Sequence, residues 1–239
     1  MRAALILALM ALSAAPAPAQ DATSLALTAR FGLFKVAEIT LDARESDGAY
    51  ALQARAVGAG LVAAFRDVHF DLNTEGERYH DDWLPRRFVG DTDTGRRQVR
   101  VSMRWPQGIP VIDAISPDEP VTEWSLDPAL QGDALDPLTA FWRLLRPRPR
   151  GELCGWSVDL YDGRRRARLV LHPGQGDPGV MTCGGAYQRI GGYSARELDE
   201  RGPSSPFSLT FHPRTPDHWY LTEAVVVTRQ GRVRVLSTE

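Results

Sequence analysis

Val99-Arg100-Val101-Ser102-Met103-Arg104-Trp105 sets Val99, Val101, Met103 and Trp105 at alternate positions, with Arg100, Ser102 and Arg104 between them. Successive side chains of a strand point to opposite faces of a sheet, so this alternation describes a strand buried on one face and wet on the other. Val233 and Val235 repeat the pattern against Arg232 and Arg234. Less regular strand candidates are 25–30, 36–42, 50–57, 68–72, 86–91, 121–126, 156–161, 167–172, 207–211 and 220–228. Asp47-Gly48, Glu75-Gly76, Thr94-Gly95, Asp162-Gly163 and Gln230-Gly231 each stand between two such runs and supply a residue that accepts positive φ. Sequential hairpins of this kind pair antiparallel. No alternation of strands with long helices and no fixed-period repeat is visible, so the chain is mainly β.

One helix is signalled, over 136–146. Asp136 suits the N-cap, Pro137 the first helical position, and Pro147 ends the run. Leu138, Phe141, Trp142 and Leu145 fall on one face, which must lie against something apolar; a curved sheet is the available partner. Gly58 to Phe65 is small and apolar and reads either as a short helical turn or as a bend between strands. The segment from Gly174 to Gly192 is rich in glycine and reads as a loop tied near its middle by Cys183, and Arg146 to Arg150 as a short Pro-rich connector.

The chain has 239 residues and a net charge of −2 at pH 7. Its first nineteen residues have the form of a secretory signal peptide: Arg2, an apolar run from Ala3 to Leu12, and a small-residue site ending Ala17-Pro18-Ala19. The apolar run is about half of the roughly 20 residues that span a bilayer, and no Cys follows the cleavage site to accept a lipid. The expectation is a signal peptide over 1–19 and a single soluble β-rich domain over 20–239 in the periplasm. A near-neutral chain argues against nucleic-acid binding. Almost all of its 28 basic residues are Arg, as a GC-rich genome would encode. The densest run, Arg164-Arg165-Arg166 with Arg168, reads as a hairpin turn entering a strand, with an anion-binding patch as the alternative.

Cys154 and Cys183 are the only cysteines, and export puts them where disulfides persist, so they are expected to pair. No C-x-x-C is present, and two thiols alone do not make a zinc site. His80-Asp81-Asp82 and His212 with Asp217 and His218 group imidazoles with carboxylates, but solvated loops account for both clusters, and no metal is expected. There is no G-x-S-x-G, no H-E-x-x-H, no phosphate loop and no dinucleotide fingerprint. Ser194, after Gly191-Gly192-Tyr193, has no base that the sequence can place beside it. No catalytic residue and no cofactor is expected.

The chain resembles a family of exported bacterial proteins known as domain of unknown function 3108. The resemblance is carried by Phe31-Gly32-Leu33 with Ala37-Glu38-Ile39-Thr40-Leu41, by the Asp136-Pro137-Leu138 helix ending at Leu145-Arg146, by Tyr161-Asp162-Gly163-Arg164-Arg165, and by Thr228-Arg229-Gln230-Gly231-Arg232-Val233. It covers most of the mature chain. It implies a strongly curved antiparallel sheet, an open half-barrel like those of periplasmic lipoprotein carriers, with the helix on its concave side. No activity and no catalytic residues come with it.

Together these features point to a ligand groove for an acyl chain or hydrophobic segment between sheet and helix, formed by Trp105, Leu138, Phe141, Trp142 and Leu145. The alternative is an envelope assembly protein that holds a protein partner by a sheet edge or by Arg146 to Arg150 and takes no small ligand. A cell-wall hydrolase ranks behind both for want of an acid/base pair.

Overall fold

The structure, a computed structural model, describes residues 21–238; the signal-peptide expectation for 1–19 lies outside them. Thirteen strands form a single antiparallel sheet: β1 (Asp21–Phe31), β2 (Phe34–Ser46), β3 (Ala49–Gly58), β4 (His69–Tyr79), β5 (Asp82–Asp93), β6 (Gln98–Arg104), β7 (Val111–Ser116), β8 (Ser157–Tyr161), β9 (Arg166–Leu171), β10 (Met181–Gly191), β11 (Ser204–Pro213), β12 (Trp219–Thr228) and β13 (Gly231–Ser237). Their spatial order is β7-β6-β5-β4-β3-β2-β1-β13-β12-β11-β10-β9-β8. Two hairpin meanders thus lie side by side and are joined where β1 pairs with β13, from Leu27↔Ser237 to Phe31↔Val233.

A sheet this wide twists and curls, because each strand is rotated against its neighbour in the same sense. Here the curl brings the two ends of the sheet together without pairing β7 to β8. The β8–β9 turn reaches β6 and β7: a Cβ added at Gly163, which holds φ 95°, would lie 3.1 Å from Val101 Cγ2 and 3.4 Å from Ile115 Cδ1. Only glycine fits both that φ and that approach. The free edge of β8 is covered in turn by the backbone of Leu135, whose N–H donates to the Asp159 carbonyl and whose carbonyl accepts from Tyr161. The fold is an open barrel with a protected edge. The sequence run Arg164 to Arg168 clasps this region: Arg165 pairs with Glu197, and Arg166 and Arg168 both bind Asp159, with Arg166 also holding Asp133. These guanidinium groups are engaged by carboxylates within the chain, as the hairpin reading expects.

Three α-helices accompany the sheet: α1 (Leu61–Phe65), α2 (Pro137–Leu145) and α3 (Ala195–Arg201). Helix α2 is the one read from the sequence. The Gly58 to Phe65 stretch resolves as the turn of helix α1. The segment 174–192 is not a loop throughout, since β10 occupies 181–191 and pairs with both β9 and β11. Glycine there is a packing device: a Cβ at Gly185 would come within 2.7 Å of the Phe207 ring. Glu75-Gly76 is likewise no turn but the middle of β4, where Tyr50 crosses within 2.5 Å of a would-be Gly76 Cβ. The strand expected over 121–126 is an irregular segment containing a Thr122–Ser125 turn, and β7, just before it, carries the edge pairing. Pro117 and Pro120 flank this segment and cannot donate to a ladder.

Cys154 and Cys183 form a disulfide with Cα atoms 5.6 Å apart, tying the segment before β8 to β10. The closed loop restricts the unfolded chain by about 3 to 4 kcal/mol. Reduction, or the double substitution Cys154→Ala and Cys183→Ala, is expected to lower Tm by several degrees, read by circular dichroism with and without reductant. An unchanged melting curve would mean that the bridge contributes nothing to the stability of this barrel.

Candidate functional site

Helix α2 lies against β3, β4 and β8, inside the curl of the sheet. Its first turn is fixed by Asp136, a fully buried N-cap. One carboxylate oxygen of Asp136 accepts the Thr139 N–H at 3.0 Å, and the other accepts the Thr139 hydroxyl and lies 3.1 Å from Thr74 Oγ1 on β4. Thr139 Oγ1 is also 3.0 Å from the Tyr50 hydroxyl on β3. Burial pushes the Asp136 carboxyl up to about 6, and the bonds from Thr139 and Thr74 hold it back from rising further.

Past this anchor the helix separates two environments. Leu138, Phe141, Leu144 and Leu145 face a cavity of about 490 Å³. Its other walls come from the inner faces of β1 to β4 and β9 to β13, among them Leu27, Ile39, Leu72, Phe207, Leu221 and Val235. Ala54 and Ala56 lie where larger side chains would fill the space. Phe70 and Phe141 are each about one-third exposed (36% and 37%) and stand where the cavity meets solvent. The lining is apolar apart from Tyr187, Ser205, Arg55 and Arg189. Arg55 alternates with Ala54 and Ala56, so its guanidinium belongs to the outer face, where Asp71 lies 3.6 Å away. Arg189 shares the inner pleat with Tyr187.

Three of the five groove residues expected from the sequence, Leu138, Phe141 and Leu145, line this cavity. The other two are placed elsewhere. Trp142 sits one residue on from Phe141, about 100° further round the helix, and is 1% exposed on the far side. Its indole N–H donates to Glu45 Oε1 at 3.2 Å, and Glu45 also pairs with Arg78 at 2.7 Å. Trp105 follows the end of β6 and is buried beside a second cavity, of about 840 Å³, bordered by Trp83, Asp133, Asp159 and Arg168. There Asp133 and Asp159 are already taken up by arginines, whose hydrogen bonds hold both carboxyls below their ordinary range against the opposing effect of burial. Leu144 and the strand residues escaped the sequence reading. Leu144 could have been found from the i, i+3, i+6, i+7 run that starts at Leu138; the strand residues could not, because alternation does not say which strands face one another.

The remaining candidates are spent on structure. Ser194 caps helix α3, its hydroxyl accepting from the Glu197 N–H. His80 is in the β4–β5 turn at φ 56°, and His212 bonds Thr222. Among the described residues no three His, Cys, Asp or Glu side chains gather as a metal group would require. In the Arg146 to Arg150 connector, Arg148 is 3% exposed and stacks 5.1 Å over Trp156, while Arg150 stacks over Trp219. Arg148 is therefore part of the packing and no external handle. No helix among the described residues is long and apolar enough to cross a membrane.

No protein-family model matches the chain, and no curated protein matches it. Among solved structures it is similar to a beta-barrel-like protein of domain of unknown function DUF1849 from Brucella abortus, with a TM-score of 0.50 and 16% identity over 93% of this chain and 96% of that one. The likeness is one of fold: a curved, mostly antiparallel sheet. It shows a fold shared with one domain of unknown function and does not single out the 3108 family.

Two consequences can be measured. The folded chain keeps the Asp136 proton up to about pH 6, whereas the unfolded chain loses it near 3.8, so this group makes stability fall as pH rises between them. Urea unfolding of Asp136→Asn, which keeps a cap, should gain about 2 kcal/mol on the parent between pH 4 and pH 6.5 and then run nearly parallel to it. A difference that stays flat across that window would mean that the carboxyl is not desolvated. Trp142→Ala should cost about 3 to 5 kcal/mol, against about 1 kcal/mol for Phe141→Ala, by the same assay. Equal costs would contradict the division of the helix into a packed face and a cavity face.

Proposed function

We propose that this protein is an exported, non-enzymatic binder of a hydrophobic or amphipathic ligand, held between the sheet and helix α2 in the bacterial envelope. The observation that carries the reading is the cavity of about 490 Å³ with its almost wholly apolar wall. Its size falls within the about 300 to 1,000 Å³ of small-molecule sites. A folded domain gains by filling such a space with side chains, yet Ala54, Ala56 and Ala224 stand along this wall and leave it open. An acyl chain entering it would contribute about 0.8 kcal/mol per methylene removed from water. The signal-peptide pattern of residues 1–19 and the Cys154–Cys183 bridge support an oxidising compartment, the periplasm. Membership of the 3108 family is part of the same proposal, and fold likeness supplies no activity of its own.

A protein partner in place of a small ligand is the second reading. Leu33 on the β1–β2 hairpin and Phe65 on helix α1 favour it, being 90% and 82% exposed.

The test is native mass spectrometry of the full chain expressed with its leader and purified from a Gram-negative periplasm, followed by denaturing extraction and lipid analysis. The expected result is a stoichiometric apolar adduct that Phe141→Glu abolishes while Tm moves by no more than a few degrees. A bare chain at its calculated mass that also takes up no added lipid would reject ligand binding and favour the protein partner.

A further inference from the structure

Of the residues that line the cavity, one besides the outward-facing Arg55 carries a charge. Arg189 lies on the inner pleat of β10, two residues on from Tyr187, which is the register partner of Ser205 on β11. Its Nη1 donates to the Gly202 carbonyl at 2.9 Å and its Nη2 to Ser205 Oγ at 3.1 Å. The guanidinium lies 5.5 Å from the centre of the Tyr187 ring. The backbone N–H of Arg189 donates to the Pro203 carbonyl at 2.8 Å, so backbone and side chain are tied to the same short segment. Both side-chain acceptors are neutral. Among the described residues no carboxylate forms an ion pair with Arg189, in contrast to Arg165, Arg166 and Arg168 on the neighbouring strand and turn.

An arginine has five N–H donors, and the two bonds leave its Nε–H and one N–H on each terminal nitrogen. A carboxylate or phosphate accepts from a guanidinium through two oxygens at once, and a guanidinium already held in place loses little freedom on binding it.

We propose that the cavity takes an amphiphile with one apolar tail and an anionic head, the tail lying against helix α2 and the head bound by Arg189. The proposal rests on the ligand-binding function above. It adds the chemical class of the ligand, of which a fatty acid is the simplest member and a monoalkyl phosphate the other.

Displacement of a fluorescent apolar probe from the delipidated mature protein tests it, with dodecanoate, dodecyl phosphate and dodecanol as competitors. An anionic competitor should act at roughly ten- to hundredfold lower concentration than dodecanol, the fold-change expected of a charge-assisted bond. Whichever of the two anions is stronger identifies the head group. Arg189→Gln should remove the preference, bringing the anions to the potency that dodecanol has on the same variant, and Arg189→Lys should restore part of it. The comparison of ligands on the unmodified protein does not depend on how any variant folds. Three equally potent competitors, with no effect of Arg189→Gln, would overturn the role of Arg189 and leave the ligand-binding function standing. Failure of all three, together with failure of the probe to bind, would overturn both.

Discussion

Burial of the Asp136 carboxyl between Thr139 and Thr74 holds the helix in the one position that the rest of the barrel is built around. Without that tie, nine helical residues in a wide trough could slide toward either rim, since apolar contact has no preferred direction. The cap supplies direction through hydrogen bonds to two elements at once, β4 directly and β3 through Thr139 and Tyr50. The cost is a desolvated acid, and it falls where the helix has no other way to end its backbone. Function would follow from what the cap leaves unfilled, because α2 covers one part of the inner face and leaves the cavity over the other.

The same helix shows how far the sequence can be read. Its existence, its start at Asp136-Pro137 and its stop before Pro147 were all legible, because capping chemistry is local. So were the strands with strict alternation, β6 and β13, and the disulfide partners, for which two cysteines allow one pairing. What was not legible depends on contacts between distant elements. Trp142 and Phe141 are both aromatic and adjacent, and nothing within the helix says that the first finds Glu45 while the second meets solvent. Gly76 and Gly185 look like turn residues until Tyr50 and Phe207 are seen crossing over them. Arg189 is one arginine among many in the chain, and only the inner pleat of a curled sheet distinguishes it from those on the outside.

Apart from Arg189, the described arginines fall into three settings. On the outer faces they form exposed pairs such as Arg100 with Asp91, which are worth little each. Around the free edge they form a half-buried clasp, with Arg166 and Arg168 sharing Asp159. Along the connector they stack on tryptophan, as Arg148 does on Trp156 and Arg150 on Trp219, where a planar delocalised cation tolerates loss of water better than an ammonium would. Burial nevertheless lowers the Arg148 guanidinium to about 9, with the neighbouring Arg146 and Arg143 adding to the fall. Much of the chain's arginine is thus absorbed into edge protection and packing.

The join between β1 and β13 has a temporal meaning. Every other pairing in the sheet links strands that follow one another along the chain, so each can form as soon as its second strand exists. The join instead unites the first and last strands described, and Leu27 and Val235, which contribute to the cavity, lie on its two sides. The apolar trough therefore cannot be completed until residues 231–237 have arrived, however early the first meander assembles. Such a distant closure is slow, and two half-troughs with bare inner faces must wait for it. This is the stage at which the chain is most exposed to aggregation, and a companion that shields it would have to act before the last hairpin is in place.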